Sequence, residues 1–313
     1  MKLLIAFFRL VRYPNLIYIA LTQFLLQYCV VAPVLAYNGE GPSLSWVSFF
    51  LLSLSTVLIA AAGNIINDYF DINIDIINKP EKMVLDKIIN RRWAMAWHTI
   101  FNMAGVSIGF IVAWRIGQIY LGFTQVICSL ILWFYSTSFK RQILIGNVLI
   151  SLLTALAVVV VGFYEKQIYE SFEAILSPAG RKLIQIISVY AIFAFIISLV
   201  REIVKDLEDM IGDSKDGCRT IPIVWGVEPA KRICYMLLLG VQVLMILVEI
   251  RIGLIGWWPA VIYLVIFVQA PSYYIYTLLK KAHLPEHYHK VSSLVKWLML
   301  TGILSMIFFK IFL

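Results

Sequence analysis

Charge is what this chain has least of. Asp, Glu, Lys and Arg make up 14% of its 313 residues, against 61% hydrophobic. With a mean hydropathy of +0.88, that balance excludes an ordinary soluble domain. The four cysteines, Cys29, Cys128, Cys218 and Cys234, include no CxxC pair. Neither a disulfide framework nor a zinc site is therefore indicated, and the four read as packing residues. Histidine is scarce too. His283, His287 and His289 fall beside Lys280, Lys281 and Pro285, which predicts a solvated connector rather than a metal site.

What the sequence does have is long apolar runs. About nine recur, near residues 15–35, 46–63, 95–114, 117–134, 143–162, 183–204, 232–250, 257–279 and 291–312. As helices of roughly 18 to 22 residues they can cross a hydrocarbon core about 30 Å thick. The reading is an all-α polytopic membrane protein in which residues 1–313 form one transmembrane domain. Lys2, Arg9 and Arg12 precede the first run and Val34-Leu35-Ala36 resembles a cleavage site. The run is nevertheless too long for a signal h-region, so it is expected to remain as a span. No organelle transit signature precedes it, which points to a bacterial or archaeal cytoplasmic membrane.

The net charge of +8 would raise the question of nucleic acid in a soluble domain. Its distribution follows the membrane instead: with a cytoplasmic N-terminus, roughly 20 of the 26 Lys and Arg fall on cytoplasmic segments. Trp93, Trp97, Trp257 and Trp258 lie near span ends and read as interfacial anchors. Nothing in the sequence signals an oligomeric state.

The acids are few but grouped. Asn67, Asp71 and Asp75 are spaced four apart, with Asp68 three before Asp71. On a continued helix all four line one stripe. Asp206, Asp209, Asp213 and Asp216 follow at offsets of three, four and three, again one helical face. Asp71 and Asp209, like Asp75 and Asp213, are 138 residues apart, which suggests two related halves. A single such cluster could be a solvated loop. Two at matched positions beside apolar spans are expected to face a shared site, because charge there is costly. Carboxylates stacked this way repel unless a cation joins them, and hard oxygen ligands at this spacing suit Mg²⁺ with substrate phosphates.

At these motifs the sequence resembles the UbiA superfamily of intramembrane prenyltransferases. Asn67, Asp68, Asp71 and Asp75 match the family's NDxxDxxxD, and Asn78-Lys79-Pro80 its N-R/K-P continuation. Asp206, Asp209, Asp213 and Gly217 match DxxDxxxD with its glycine turn, and Arg219-Thr220-Ile221-Pro222 resembles K-T-L-P. Tyr135 and Lys140 resemble the family's tyrosine and lysine segment, spaced Y-x4-K rather than the usual Y-x3-K. Arg12 and Asn15 resemble its R-x-x-N.

The resemblance implies nine transmembrane helices around a central cavity, in two pseudo-related halves, capped by the Asp-bearing cytoplasmic loops. It also implies Mg²⁺-dependent transfer of a prenyl group from an isoprenyl diphosphate to a lipophilic acceptor. Asn67, Asp71 and Asp75 would hold one Mg²⁺, Asp209 and Asp213 a second, with Asp68 and Asp206 completing the two faces. Lys140, Arg141, Lys79, Lys82 and Arg219 are candidates to neutralise phosphate charge. Tyr135 joins Lys140 and Arg141 as a catalytic candidate, while Arg12, Asn15, Asn67 and Lys205 are substrate-binding candidates.

The run Lys205-Asp206-Leu207-Glu208-Asp209-Met210-Ile211-Gly212-Asp213 looks like the K-D-I-E-D-x-x-G-D form of archaeal-type geranylgeranylglyceryl phosphate geranylgeranyltransferases. The expected acceptor is accordingly a glycerol-phosphate lipid, with an aromatic quinone precursor as the alternative. Two other classes fit less well. A CDP-alcohol phosphotransferase wants D-G-x-x-A-R, which Asp216-Gly217-Cys218-Arg219 does not continue. A transporter would place its ionisable groups near the bilayer midplane rather than at one surface.

Overall fold

The computed structural model describes residues 2–78, 80 and 83–313. Among them, nine helices are long and apolar enough to cross a membrane: Tyr13–Tyr37, Trp46–Phe70, Arg91–Arg115, Ile119–Thr137, Ile145–Phe163, Pro178–Lys215, Val227–Leu254, Trp258–Lys281 and Pro285–Phe312. These are the first to ninth spans. Each contains or overlaps one of the apolar runs. The sixth runs furthest past its apolar stretch, because the charged segment after Val204 continues the same helix to Lys215. The only β-pairing among the described residues is an isolated bridge between Leu85 and Ile89.

Local chemistry sets where several spans begin. Ser45, Asn90 and Ser177 cap the second, third and sixth, their side chains accepting from the backbone N–H of Ser48, Arg92 and Gly180, which satisfies otherwise orphaned donors. Pro178 and Pro285 occupy first turns, where a missing N–H costs nothing. Pro33 and Pro271 fall inside spans, and each follows a wide turn, Leu26–Val31 and Val265–Gln269. Such π-type turns accommodate the proline ring and the absent donor.

In lipid, helices are held by close packing and hydrogen bonds rather than by a hydrophobic drive. Ser55 Oγ of the second span donates to the Gly105 carbonyl of the third at 2.6 Å. A Cβ at Gly105 would lie 2.7 Å from Ile59 Cγ1, so the approach needs glycine. The sixth span is the hub, packing against the fifth, seventh and ninth, with Ile197, Val200, Ile203 and Val204 fully buried.

Successive spans send alternate loops to opposite ends. Loops after odd spans meet at one: Glu165 accepts from the Ser43 backbone N–H at 2.7 Å and Gln27 Nε2 at 3.2 Å. Loops after even spans meet at the other, with the start of the first span, and that end carries the acidic motifs.

Candidate active site

The second span ends at Phe70. Asp71 leaves helical geometry (φ −91°, ψ 0°), and a short helix, Ile72–Asn78, follows. The helix expected to run unbroken through this motif is thus interrupted at its central aspartate. Register survives the break, since Asp71 N–H donates to Asn67 O at 3.0 Å and Asp75 N–H to Asp71 O at 2.8 Å. The short helix packs on the sixth span, where Asn78 uses both ends of its amide. Its Nδ2 donates to the Asp209 carbonyl at 3.0 Å and its Oδ1 accepts from the Gly212 N–H at 2.9 Å. A Cβ at Gly212 would sit 2.3 Å from Asn78 Oδ1, so only glycine admits this clip. The two motifs, far apart in sequence, are fastened side by side.

The connection between the fourth and fifth spans bridges them again. Lys140 pairs with Asp71, and Arg141 Nη2 lies 2.8 Å from Asp216 Oδ2. The Arg141 carbonyl accepts from the Arg219 N–H at 2.9 Å, which ties in the tail of the second motif. Arg219 itself is exposed. Burial pushes the Lys140 ammonium down to about 8, while the carboxylate against it favours the charged form. The charge of Asp213 also reaches Lys140. Tyr135 is half-buried and lies within electrostatic reach of Glu202, Asp206, Arg12 and Asp213. The altered Y-x4-K spacing therefore still brings Tyr135 and Lys140 to the same place.

The start of the first span supplies Arg12, whose Nη2 lies 2.5 Å from Asp68 Oδ1. Asp68 holds the guanidinium above its ordinary value against the opposing effect of burial. Arg12 stands in the left-handed region at φ 53°, as does Leu144 at φ 63° at the start of the fifth span. Each costs roughly 1–2 kcal/mol for a residue with a Cβ. Three residues after Leu144, Asn147 Nδ2 donates to Asp206 Oδ2 at 2.8 Å.

The other described candidates each have an identifiable partner. Asn67 Nδ2 donates to Asp71 Oδ2 at 2.8 Å. Lys205 pairs with Glu202 at 3.0 Å, and Glu202 also takes Arg201 at 3.0 Å. Asn15 Oδ1 accepts from Lys296 Nζ of the ninth span at 3.0 Å. Asp75, Asp209 and Asp213 each have an interacting partner. Lys79 and Lys82 lie outside the described residues. His287 and His289 are exposed, but they belong to the first turns of the ninth span, which begins at Pro285, and not to a connector. His289 Nδ1 lies 2.9 Å from Glu208.

Sequence reasoning missed the clip made by Asn78, and it missed Asn147 and Lys296. The last two are polar residues within apolar spans, a signal in itself.

The donor set suits a hard cation. Among the described residues no three of His, Cys, Asp and Glu form a ready-made cage. Asp68, Asp71 and Asp216 instead face side-chain cations. Asn67 Oδ1, however, is a buried acceptor without a hydrogen-bond partner, and the neighbouring ligand atoms are all oxygen. Mg²⁺ asks for little more, since it takes one or two carboxylates and completes its shell with water and phosphate. A groove of about 370 Å³ lined by Tyr69, Arg91, Arg92, Met95, Ala96 and Thr99 lies beside the motifs rather than between them.

Comparison with known proteins matches this architecture. The digeranylgeranylglyceryl phosphate synthase of Methanosphaera stadtmanae is 28% identical over 257 residues, covering 81% of this chain and 84% of the relative. A solved structure of digeranylgeranylglyceryl phosphate synthase in membranes superposes with a TM-score of 0.63 at 26% identity, covering 98% of this chain and 99% of that one. A UbiA homolog from Archaeoglobus fulgidus, bound to DMAPP and Mg²⁺, shares the fold at a TM-score of 0.55 and 18% identity, covering 96% of this chain and 98% of that one. Residues 25–307 match the UbiA prenyltransferase family, so this chain, with its apolar spans and paired acidic motifs, is an integral-membrane prenyltransferase belonging to that family.

Proposed function

We propose that this prenyltransferase takes geranylgeranyl diphosphate as donor and joins its prenyl group to the free hydroxyl of geranylgeranylglyceryl phosphate, with Mg²⁺ as cofactor. The observation that carries the reading is the Asn78 clip, which sets the first acidic motif against the second beside Lys140 and Arg141. Two relatives named digeranylgeranylglyceryl phosphate synthase support the acceptor. The Lys205–Asp213 run favours it over an aromatic ring.

In the reaction the prenyl C1–O bond breaks and its electron pair leaves with diphosphate. The acceptor oxygen forms the new ether bond and gives up its proton. Mg²⁺ held by Asn67, Asp68, Asp71 and Asp75 on one side and Asp206, Asp209 and Asp213 on the other would supply charge stabilisation for the departing diphosphate. Lys140, Arg141, Lys79, Lys82 and Arg219 would neutralise the remaining phosphate charge. Tyr135 would present an aromatic face to the cationic prenyl carbon, and Arg12, Asn15 and Lys205 would meet substrate polar groups. The excess of Lys and Arg on the loops at this end supports placing it in the cytoplasm, beneath the cell membrane.

Purified protein offered geranylgeranyl diphosphate with each acceptor in turn tests the reading by mass spectrometry. The expected product is the ether of the glycerol-phosphate lipid. A carbon-prenylated aromatic product alone would overturn the acceptor.

A further inference from the structure

Toward the membrane interior from the acidic motifs, the sixth and ninth spans carry a second polar group. Lys296 lies eleven residues into the ninth span, roughly 16 Å along its axis. Its ammonium meets neutral groups from the first span: Asn15 Oδ1 at 3.0 Å and the Tyr18 ring, 5.2 Å to the centroid. No ion pair is found for it among the described residues. Arg201 and Lys205 lie near enough for their charges to act on Lys296, and Arg201 acts on Tyr18 as well. Those two cations share one carboxylate, Glu202, at 3.0 Å each, and Arg201 Nε is buried without a partner.

Arg201 and Lys205 share Glu202, and Lys296 in the adjoining span brings a further ammonium held by neutral groups, so cations outnumber the carboxylate beside them between apolar helices. Uncompensated, that is expensive. Asp206, a turn nearer the aqueous end, is bound to Asn147 and belongs to the acidic set already described. A phosphate monoester brings about −1.5 to −2 charges and three acceptor oxygens, which would compensate these cations. The glycerol-phosphate acceptor carries such a group, and ether formation leaves it untouched, so it needs a place of its own. Arg201 precedes Asp206 by five residues and Asp209 by eight. The separation along the helix is roughly 7–12 Å, far enough to keep this phosphate apart from the donor's diphosphate.

We propose that Lys296, with Arg201 and Lys205, binds the phosphate monoester of the lipid acceptor, an inference that rests on the glycerol-phosphate reading above. Asn15, which also meets substrate, and Tyr18, a positioning residue, steer the Lys296 ammonium into the site.

The test uses the full-length purified enzyme with geranylgeranyl diphosphate as donor and two acceptors, geranylgeranylglyceryl phosphate and its dephosphorylated alcohol. The wild type should prefer the phosphorylated acceptor by at least about 10-fold in kcat/KM. Lys296→Met should raise KM for that acceptor about 30-fold, the loss expected for one charge-assisted contact. The donor KM should stay within about twofold, showing that the rest of the site is folded, and Lys296→Arg should keep most of the preference. Equal use of both acceptors by the wild type overturns the subsite without needing any variant. So does a Lys296→Met enzyme whose acceptor KM stays within about twofold of wild type, whatever its donor KM. A wild type that uses neither acceptor but prenylates an aromatic one supplied in a parallel reaction overturns the reading of the acceptor itself.

Discussion

Asn78 and Gly212 allow the convergence of the two motifs to be tested by a double substitution. Asn78→Ala removes two hydrogen bonds that cross between the halves, at 3.0 and 2.9 Å. At about 1 kcal/mol each, roughly 2 kcal/mol of the clip is lost. Gly212→Ala attacks the same contact from the other side. Its Cβ would lie 2.3 Å from Asn78 Oδ1 and 2.5 Å from both Cγ and Nδ2, so the amide must leave its seat. All three obstructing atoms lie beyond the Asn78 Cβ, and Asn78→Ala removes every one. The double variant should therefore be no worse than Asn78→Ala alone, a favourable coupling of roughly 2 kcal/mol. Loosening the clip should shift the short helix against the sixth span, and a displacement near 1 Å can cost about 100-fold in rate. The assay is steady-state prenyl transfer across a Mg²⁺ titration. Each single variant should show kcat lowered by about 30- to 100-fold and a higher half-saturating Mg²⁺ concentration. A double variant whose losses simply add, or an Asn78→Ala enzyme within twofold of wild type, would refute the clip as the device that assembles the site.

Two further predictions concern opposite ends of the molecule. Asp71→Ala or Asp209→Ala should lower turnover by at least about 100-fold while the protein still inserts and purifies as a folded species. Chelating divalent metal from the wild type should have the same effect, reversed by added Mg²⁺. Full activity in either variant rules out the metal assignment. At the far end, burial raises the Glu165 carboxyl above its ordinary value, with the Ser43 and Gln27 hydrogen bonds only partly opposing. A raised folded-state value means that the contribution to stability is fully present below the ordinary carboxylate range, near 4.5, and is lost as pH climbs through the higher folded value. Thermal melts in detergent from pH 4 upward should therefore show the wild type losing stability relative to Glu165→Gln. Parallel pH profiles for the two proteins would show that Glu165 does not titrate in that window.

The spans were legible because hydropathy and length decide them, and loops confirmed their ends only to within several residues. The sixth span shows why: Lys205, Asp206, Glu208 and Asp209 are too polar for a membrane window, yet they continue the helix beyond the apolar run to Lys215. The break at Asp71 was illegible for the opposite reason. A helical spacing survives a local departure when i to i−4 bonds flank it, so the pattern of residues stays periodic while the chain turns. Partner choice was the least accessible feature. The contact between Lys296 and Asn15 joins the two ends of the chain, and no local pattern selects Asn15 over any other acceptor. The polar character of Asn147 and Lys296 inside apolar spans announced that partners must exist, though not which.

The duplication extends beyond the carboxylates. Asp68 and Asp206 are also 138 residues apart, and each is held from the start of the span that precedes its own half's motif, by Arg12 at 2.5 Å and by Asn147 at 2.8 Å. Each of those spans begins on a residue with a Cβ in the left-handed region, Arg12 and Leu144. What differs is where the positive charge sits. The first half has a cation at the span start and neutral Asn67 beside the acid, whereas the second has neutral Asn147 at the start and Lys205, the counterpart of Asn67 by the same offset, beside the acid. The exchange moves a positive charge onto the sixth span, next to Arg201 and within the field of Lys296. Two halves of four spans leave the ninth over, so Lys296 has no counterpart in the first half. A strictly symmetric pair would present two equivalent phosphate cradles and could not tell a donor diphosphate from an acceptor monophosphate. Exchanged partners and an unpaired ninth span would give the two substrates unlike polar seats along one helix.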